Sequence, residues 1–360
     1  MAEYPLRPYM PRGPSAIFAS IPARVGLLGN PSDNYHGRCI SALVRNWRAI
    51  ARLYPHDNRW DLSVSVDLDD EDGTLEFNSM QALADVTESD GAEGELLGGS
   101  GMRRIALGCL VRFQHECVES GFCPAAGGYR LEVSTDIPRQ VGLAGSSAIE
   151  TAITRALLTH HGLGTSLPPH AIADLVLGVE TEVLSMGGGL QDRLPQAYNQ
   201  MLYMDFRKDL MEGRGWGEYT QMDPSSLPPM WLAYGDVGMP SGEILSQVSS
   251  RWEGREDEMT AIIEQLADIA LLGKNAIETG DSAGFSSLMD RNFDLRTELY
   301  GEELLGKSFE MVNLARSMGS SAKQPGSGGA IIGVIPDDAF IERAGPAFEE
   351  HGWSLVALEV

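Results

Sequence analysis

The sequence predicts an α+β protein of two domains, and three observations predict it. Short apolar runs alternate with helical stretches in the first half, long helical stretches gather in the second half before the chain closes on strands, and a Gly/Pro-rich interval at 213–229 lies between the two patterns. With 360 residues, 43% of them hydrophobic, the chain is long enough to bury two cores. The expected division is a proline-rich N-terminal extension over 1–20, a first domain over 21–212 and a second over 228–360.

In the first half, apolar residues at 25–28, 62–66 and 129–133 read as strands, and helical spacing marks 101–119, 147–161 and 171–185. In the second half, Met230-Trp-Leu-Ala-Tyr234 reads as a new strand, followed by helical stretches at 241–252, 257–279, 282–299 and 308–318. Strands at 330–334 and 355–358 flank a last helix at 337–350. The helices over 257–299 carry Leu, Ile and Met at core spacing, which reads as internal packing and not as a partner surface.

Chemistry concentrates in four segments. From Ser147 onward, Ala148, Ile149, Ala152, Ile153, Ala156 and Leu157 form an apolar helical face that stops at His160-His161-Gly162. The helix therefore begins at two serines, directly after a glycine-containing turn. Its first N–H groups lack intrahelical partners and carry the positive end of the helix dipole, so Gly142, Leu143, Ala144, Gly145, Ser146, Ser147 and Ala148 form a cradle for a phosphate. Gly142 and Gly145 let the backbone approach the ligand, and either serine hydroxyl can reach a phosphate-bound metal; an ordinary capped helix is the other reading of the same residues. A second glycine-rich loop, with Gly326, Ser327, Gly328 and Gly329 after Lys323, leads into the apolar run 331–335 and suits a loop that closes over a ligand. No Gly-x4-Gly-Lys-Ser/Thr motif and no strand-to-helix Gly-x-Gly-x-x-Gly occurs, which argues against a P-loop NTPase or a dinucleotide-binding dehydrogenase.

The third segment, Gly187-Gly-Gly-Leu-Gln-Asp-Arg193, follows a helical stretch bearing Glu180 and Glu182 and reads as a flexible turn that presents Asp192 beside Arg193. An aspartate there can take a proton from a hydroxyl or pair with a cation. In the fourth, a strand over 24–28 breaks at Gly29 into a polar turn offering Asn30, Ser32, Asp33 and Tyr35 to a polyhydroxylated ligand.

In this order the four segments resemble the small-molecule kinase superfamily of galactokinase, homoserine kinase, mevalonate kinase and phosphomevalonate kinase, the GHMP kinases. Within it the chain is most similar to the glucuronokinases, which phosphorylate D-glucuronate at its anomeric hydroxyl. The resemblance rests on 22–33, 137–149, 189–193 and 326–330, with fainter echoes in Met204-Asp-Phe206 and Met289-Asp-Arg-Asn-Phe-Asp-Leu-Arg296. It implies a first domain like domain 2 of ribosomal protein S5, a ferredoxin-like second domain, and ATP and sugar in the cleft between them. It further implies ATP contacts over 142–148 and at Gly326, Ser327 and Gly328, and Mg2+ held by Ser147 and Glu180, with Glu182 the fallback. Asp192 is then the catalytic base, or only an orienting group, and Arg24 its basic partner. Asn30, Asp33, Tyr35, Gln191, Arg139 and Arg193 fall to the sugar, with Arg193 or Arg139 pairing with its carboxylate and Arg38 next in line. Pro31 stands where galactokinases have a histidine, which argues against a plain galactokinase. A galactokinase or other sugar-1-kinase, or a catalytically silent sensor, is the alternative.

The chain carries 51 acidic and 27 basic residues, a net charge of −24, so neither nucleic acid nor an anionic membrane is expected as a partner. Anionic substrates then require a locally basic site. The acidic runs at 67–72 and 85–95 read as a solvated hairpin tip and loop. Cys39, Cys109, Cys117 and Cys123 show no Cys-x-x-Cys pairing, which points to reduced thiols and no structural metal. Without an apolar run of membrane-spanning length, a soluble cytoplasmic protein is expected, as a monomer or small homo-oligomer.

Overall fold

A computed structural model describes residues 16–55, 64–68, 74–77, 101–121, 128–164, 166–235, 247–248 and 250–360. Its strands are β1 (Ile17–Leu28), β2 (Arg38–Pro55), β3 (Val64–Leu68), β4 (Thr74–Phe77), β5 (Tyr129–Thr135), β6 (Met201–Asp205), β7 (Glu218–Met222), β8 (Met230–Tyr234), β9 (Ala322–Lys323), β10 (Ala330–Val334) and β11 (Ser354–Ala357). The principal helices are α1 (Met102–Glu119), α2 (Gly145–His160), α3 (Pro169–Gly178), α4 (Leu190–Tyr198), α5 (Lys208–Arg214), α6 (Glu256–Thr279), α7 (Ser282–Tyr300), α8 (Lys307–Ser317) and α9 (Phe340–Glu349). The mixture of helix and sheet is the α+β class expected from the sequence.

The chain forms two compact units that interleave along the sequence. One holds Met1–Ile21, Arg48–Asp136 and Ser146–Gly188; the other holds Pro22–Trp47, Ile137–Gly145 and Gly189–Val360. In the first unit the C-terminal part of β2 pairs antiparallel with β5, β5 pairs parallel with β3, and β3 turns back antiparallel on β4. The α2 residues that set the apolar stripe, Ala148, Ile149, Ala152, Ile153, Ala156 and Leu157, are all buried. Gly108 lets α1 approach the segment after α3 closely, since a methyl group there would lie 3.0 Å from Val179 and 3.1 Å from Leu184.

In the second unit the N-terminal part of β2 pairs antiparallel with β6, and β6 with β7. A second, wholly antiparallel sheet runs in the order β11-β8-β10-β9. Trp231 on β8 is its anchor. The ring is fully buried against Phe340 and Phe348, with centroids 5.4 and 5.5 Å away. Its indole N–H donates to Ser320 Oγ at 2.8 Å, and that hydroxyl donates to the Val334 carbonyl at 2.7 Å. The indole thus buries its area without leaving a polar atom unpaired.

Several elements differ from the sequence reading. β1 begins at Ile17, inside the span read as an extension. The 18-residue β2 was not expected, because its Leu43, Trp47 and Ile50 recur at helical spacing and its burial, continuous over Cys39–Val44, alternates only from Arg48 onward. β7 lies within the Gly/Pro-rich interval; its sequence, Glu-Tyr-Thr-Gln-Met, leaves only Met222 buried and so gives no apolar run to read. The helix over 171–185 divides into α3 and a single π-helical stretch, Val179–Val183. The helix expected at 241–252 lies largely outside the described residues, as do Cys123 and the acidic segment 85–95.

One close contact makes the Trp231 packing testable. A methyl group at Gly333 would lie 2.5 Å from the indole carbons. Gly333→Ala should therefore overpack this sheet and destabilise the protein by about 1–3 kcal/mol, read as a lowered denaturation midpoint.

Candidate active site

Arg24 lies on β1 and is 2% exposed. Its backbone N–H donates to the Leu143 carbonyl at 3.0 Å, and Nη1 donates to the Pro325 carbonyl at 2.8 Å. Nη2 forms an ion pair with Oδ1 of Asp192, whose side chain is 26% exposed. One residue thus joins β1, the loop before α2, the loop after β9 and α4. Burial pushes the Arg24 guanidinium down to about 10, Asp33 and Cys39 opposing the shift and Arg193 and Arg296 adding to it. At neutral pH it is still a cation.

Asp192 does not sit in a flexible turn, as expected, but in the first turn of α4. The Gly187–Gly189 triplet ends in an extended N-cap, and the acidic residue then falls at the positive end of the helix. Gln196, one turn after Asp192, donates through Nε2 to the carbonyls of Pro22 at 3.1 Å and Ala144 at 3.2 Å. These bonds fix the helix that carries Asp192 to β1 and to the loop before α2. Arg193 is buried and donates to the Gly189 carbonyl at 2.8 Å; the Gln191 side-chain oxygen is buried without a hydrogen-bond partner.

The turn after β1 divides into structural and substrate-competent groups. Ser32 is fully buried, its hydroxyl donating to the Arg38 carbonyl at 2.8 Å and accepting from the Arg38 N–H at 3.0 Å. It closes the turn, leaving no role toward a ligand. Asn30 accepts through Oδ1 from Lys323 Nζ at 2.5 Å, while its buried Nδ2 has no partner. An ammonium can only donate, so this contact fixes the orientation of the Asn30 amide and leaves its N–H2 group as the unsatisfied side. Asp33 is partly buried, and desolvation pushes its carboxyl up to about 6 against the opposing pull of Arg24. Tyr35 ends the turn, half-buried.

The two glycine-rich loops meet backbone to backbone. A methyl group on Gly142 would lie 3.0 Å from the Ser327 nitrogen and 3.1 Å from Gly328, and one on Gly329 would lie 2.8 Å from the Val141 Cα. A methyl group on Gly326 would collide with the Gly142 carbonyl. In the first loop Gln140, Gly142 and Ala144 all take positive φ, a conformation that turns backbone N–H groups toward a common concavity.

In the other unit, Ser147 is buried in the first turn of α2, which contains no acidic residue, and Ser146 is partly exposed. Glu180 is buried in the π-helical stretch. Glu182, the fallback, is largely exposed and pairs with Arg112 Nε at 3.0 Å. Among the described residues no group of three or more His, Cys, Asp or Glu is arranged to hold a metal ion.

Two further cations are buried in the second unit, Lys323, one of the basic residues expected to converge on the site, and Arg296, which had no expected role. Lys323 also donates to the Gly26 carbonyl at 2.8 Å, and burial, reinforced by Arg296, drives its ammonium well below the ordinary lysine range. Arg296 donates to the Gly326 carbonyl at 2.6 Å and stacks over Tyr300 at 4.6 Å. The signal for Arg296 was its position four residues after Asn292, on the same face of α7; Asn292 Oδ1 accepts from the Gly29 N–H at 2.7 Å. Of the arginines considered for a substrate carboxylate, Arg139 is exposed, whereas Arg38 is shared between Asp205 at 3.1 Å and Asp268 at 3.6 Å.

The family model for the GHMP kinases N terminal domain matches residues 104–200. The chain is 37% identical over 317 residues to Probable glucuronokinase 2 of Arabidopsis thaliana, spanning 88% of this chain and 83% of that protein. It is 34% identical over 316 residues to Glucuronokinase 1 of the same plant, spanning 88% and 84%. Among solved structures, the galactokinase of Lactococcus lactis complexed with galactose matches with a TM-score of 0.72 at 16% identity, over 96% of this chain and 93% of that one. The mevalonate kinase of Methanococcus jannaschii matches with a TM-score of 0.69 at 16% identity, over 97% and 99%; likeness at this identity is one of fold. With the two plant relatives aligned along most of both sequences, the chain belongs to the glucuronokinase family of the GHMP kinases and is a sugar kinase.

Proposed function

We propose that the chain transfers the γ-phosphoryl group of ATP to the anomeric hydroxyl of D-glucuronate, giving glucuronate 1-phosphate and ADP. The observation that carries this reading is the Arg24–Asp192 pair, a buried guanidinium holding a carboxylate that remains accessible from one side. Asp192 receives the proton of the acceptor hydroxyl or aligns that hydroxyl for attack. Arg24 keeps the carboxylate charged and offsets the negative charge that develops on the acceptor oxygen. Gly142–Ala148 and Gly326–Gly328 then hold the nucleotide phosphates through backbone N–H groups.

Magnesium fits the donor set of Ser147 and Glu180. A hydroxyl and a carboxylate are hard oxygen ligands, and the ion characteristically takes one or two such groups and completes its shell with phosphate oxygens and water. When bound, it would neutralise charge on the phosphates. The buried placement of Glu180 supports it over Glu182, which is engaged by Arg112.

Asn30, Asp33, Tyr35 and Gln191 are the groups for the sugar hydroxyls, and Arg193 or Arg139 for its carboxylate. We further assign 21–212 as the ATP-binding domain and 228–360 as the second domain, in a cytoplasmic enzyme acting as a monomer or small homo-oligomer on small molecules, with no nucleic-acid or membrane partner. Among the described residues no helix is long and apolar enough to cross a membrane.

The direct test is ADP release with Mg-ATP and, separately, glucuronate, galacturonate, galactose, glucose or mevalonate. Glucuronate should give the highest kcat/KM; a preference for galactose would overturn the substrate assignment. Asp192→Asn should lower kcat by at least about 10²-fold with nucleotide affinity retained, and near-normal turnover would remove its catalytic role. Ser147→Ala should chiefly raise the Mg-ATP concentration needed for half-maximal rate, measured by titrating nucleotide at saturating sugar. Arg193→Met and Arg139→Met separate the carboxylate partner: the correct change should impair glucuronate far more than a neutral sugar.

A further inference from the structure

Helix α4 begins without a cap of its own. Gly189 occupies the N-cap position and has no side chain with which to satisfy the N–H groups of the first turn. The space beside it is filled from the turn after β1. A methyl group on Gly189 would lie 2.7 Å from Oδ2 of Asp33 and 2.8 Å from Oδ1 of Asn34. Asp33 Oδ2 is buried there without a hydrogen bond of its own, and the N–H of Gln191, the second residue of the helix, faces the carboxylate and helps hold its pKa down. The second N–H is one of the two that a capping side chain normally takes, and a carboxylate at this end also interacts favourably with the helix dipole. Asp192 follows immediately.

We propose that Asp33 caps α4 from outside the helix and thereby positions the Asp192 carboxylate against Arg24. It is a positioning residue, a role beyond the sugar contact assigned above, and its catalytic consequence rests on the reading of Asp192 as the group that meets the acceptor hydroxyl. The absence of a side chain at 189 follows from the same arrangement, because any Cβ there would take the space that the Asp33 carboxylate fills.

The groups that face Asp33 come from four elements: Arg24 on β1, the Cys39 thiol on β2 at 3.8 Å from Oδ1, the Gln191 N–H on α4, and Tyr300 on α7, whose hydroxyl feels the Asp33 charge. Burial outweighs the attraction of Arg24, so the carboxyl protonates as the pH falls through about 6. Below that pH the cap loses its charge and holds the first turn more weakly.

The test compares Asp33→Ala with Asp33→Asn, which keeps an acceptor oxygen but cannot titrate, in the full chain. Amide hydrogen exchange at one fixed pH, without substrate, is read on peptides covering 189–194. Asp33→Ala should exchange about tenfold faster there, as loss of an ordinary cap would give, and should lose kcat in proportion. Asp33→Asn should restore slow exchange, recover most of the kcat lost in the alanine variant, and abolish the fall of kcat near pH 6. Unchanged exchange in Asp33→Ala overturns the cap, as does a higher sugar KM with kcat and exchange intact, which marks a substrate contact alone. If Asp33→Ala does not fold, Gly189→Ala displaces the same carboxylate and should give the same faster exchange. Because exchange is measured without turnover, failure of the glucuronate reading and failure of the cap are seen separately.

Discussion

Burying a guanidinium costs several kcal/mol unless its donors are met and its charge is paired, and the second unit is organised around meeting that demand at Arg24. Leu143 accepts from its backbone, Pro325 from one terminal nitrogen, and Asp192 pairs with the other. Each partner comes from a different segment, so the register of β1 fixes the loop before α2, the loop after β9 and the start of α4 together. Gly26, two strand positions away and so on the same face, reinforces the arrangement: its N–H donates to the Pro325 carbonyl at 3.0 Å, and its lack of a side chain lets that carbonyl approach. Removing the guanidinium would therefore leave Asp192 without its ion-pair partner and the Pro325 carbonyl with the Gly26 N–H alone, in addition to removing a charge.

Around this residue the local charge opposes the global one. The protein carries a net charge of −24, yet Arg24, Arg193, Arg296 and Lys323 are all buried in the second unit. Their mutual repulsion contributes to lowering the Arg24 and Lys323 pKa values. Lys323 and Arg296 meet this cost largely with backbone carbonyls, those of Gly26 and Gly326. The same bonds hold the loop after β9 against β1 and α7, so the cations act as fasteners as well as a source of positive potential. Such a concentration is what an acidic protein needs if it is to receive anionic substrates at all, since the field outside the site repels them.

The strongest signals in the sequence were those written in neighbouring residues. The α2 stripe from Ala148 to Leu157 is readable because a helix face repeats every three to four positions, and the β10 run 330–334 because a strand buried on both faces is continuously apolar. The site was legible as four motifs, but their mutual contacts were not: Arg24 and Pro325 are 301 residues apart in sequence and joined by one hydrogen bond. β2 was hidden because it contributes to both units, so its burial follows two different environments along one strand. The helix at Asp192 was hidden because three successive glycines resemble a loop, whereas the last of them is an N-cap. Ser32 was indistinguishable from a ligand contact in sequence, since a hydroxyl that closes a turn and one that reads a sugar are the same residue type.

The environment of Asp33 shows how far such a site departs from what stability alone would select. Its folded-state carboxyl titrates near 6, above the ordinary value of 3.8, so between these pH values the folded chain binds more protons than the unfolded one. Stability from this group is therefore greatest below the ordinary carboxylate pKa, and declines as the pH rises through about 6. At neutral pH the fold holds Asp33 ionised at a cost, offset in part by Arg24 and the Gln191 N–H. A neutral asparagine would remove that desolvation cost while keeping a hydrogen-bond acceptor beside Gly189, but it would remove the negative charge from the neighbourhood of Arg24. The guanidinium would then keep Asp192 as its paired carboxylate and lose the second negative charge, which now raises its pKa against the effect of burial. Two acids thus serve one buried arginine, Asp192 by a direct ion pair and Asp33 by its charge nearby.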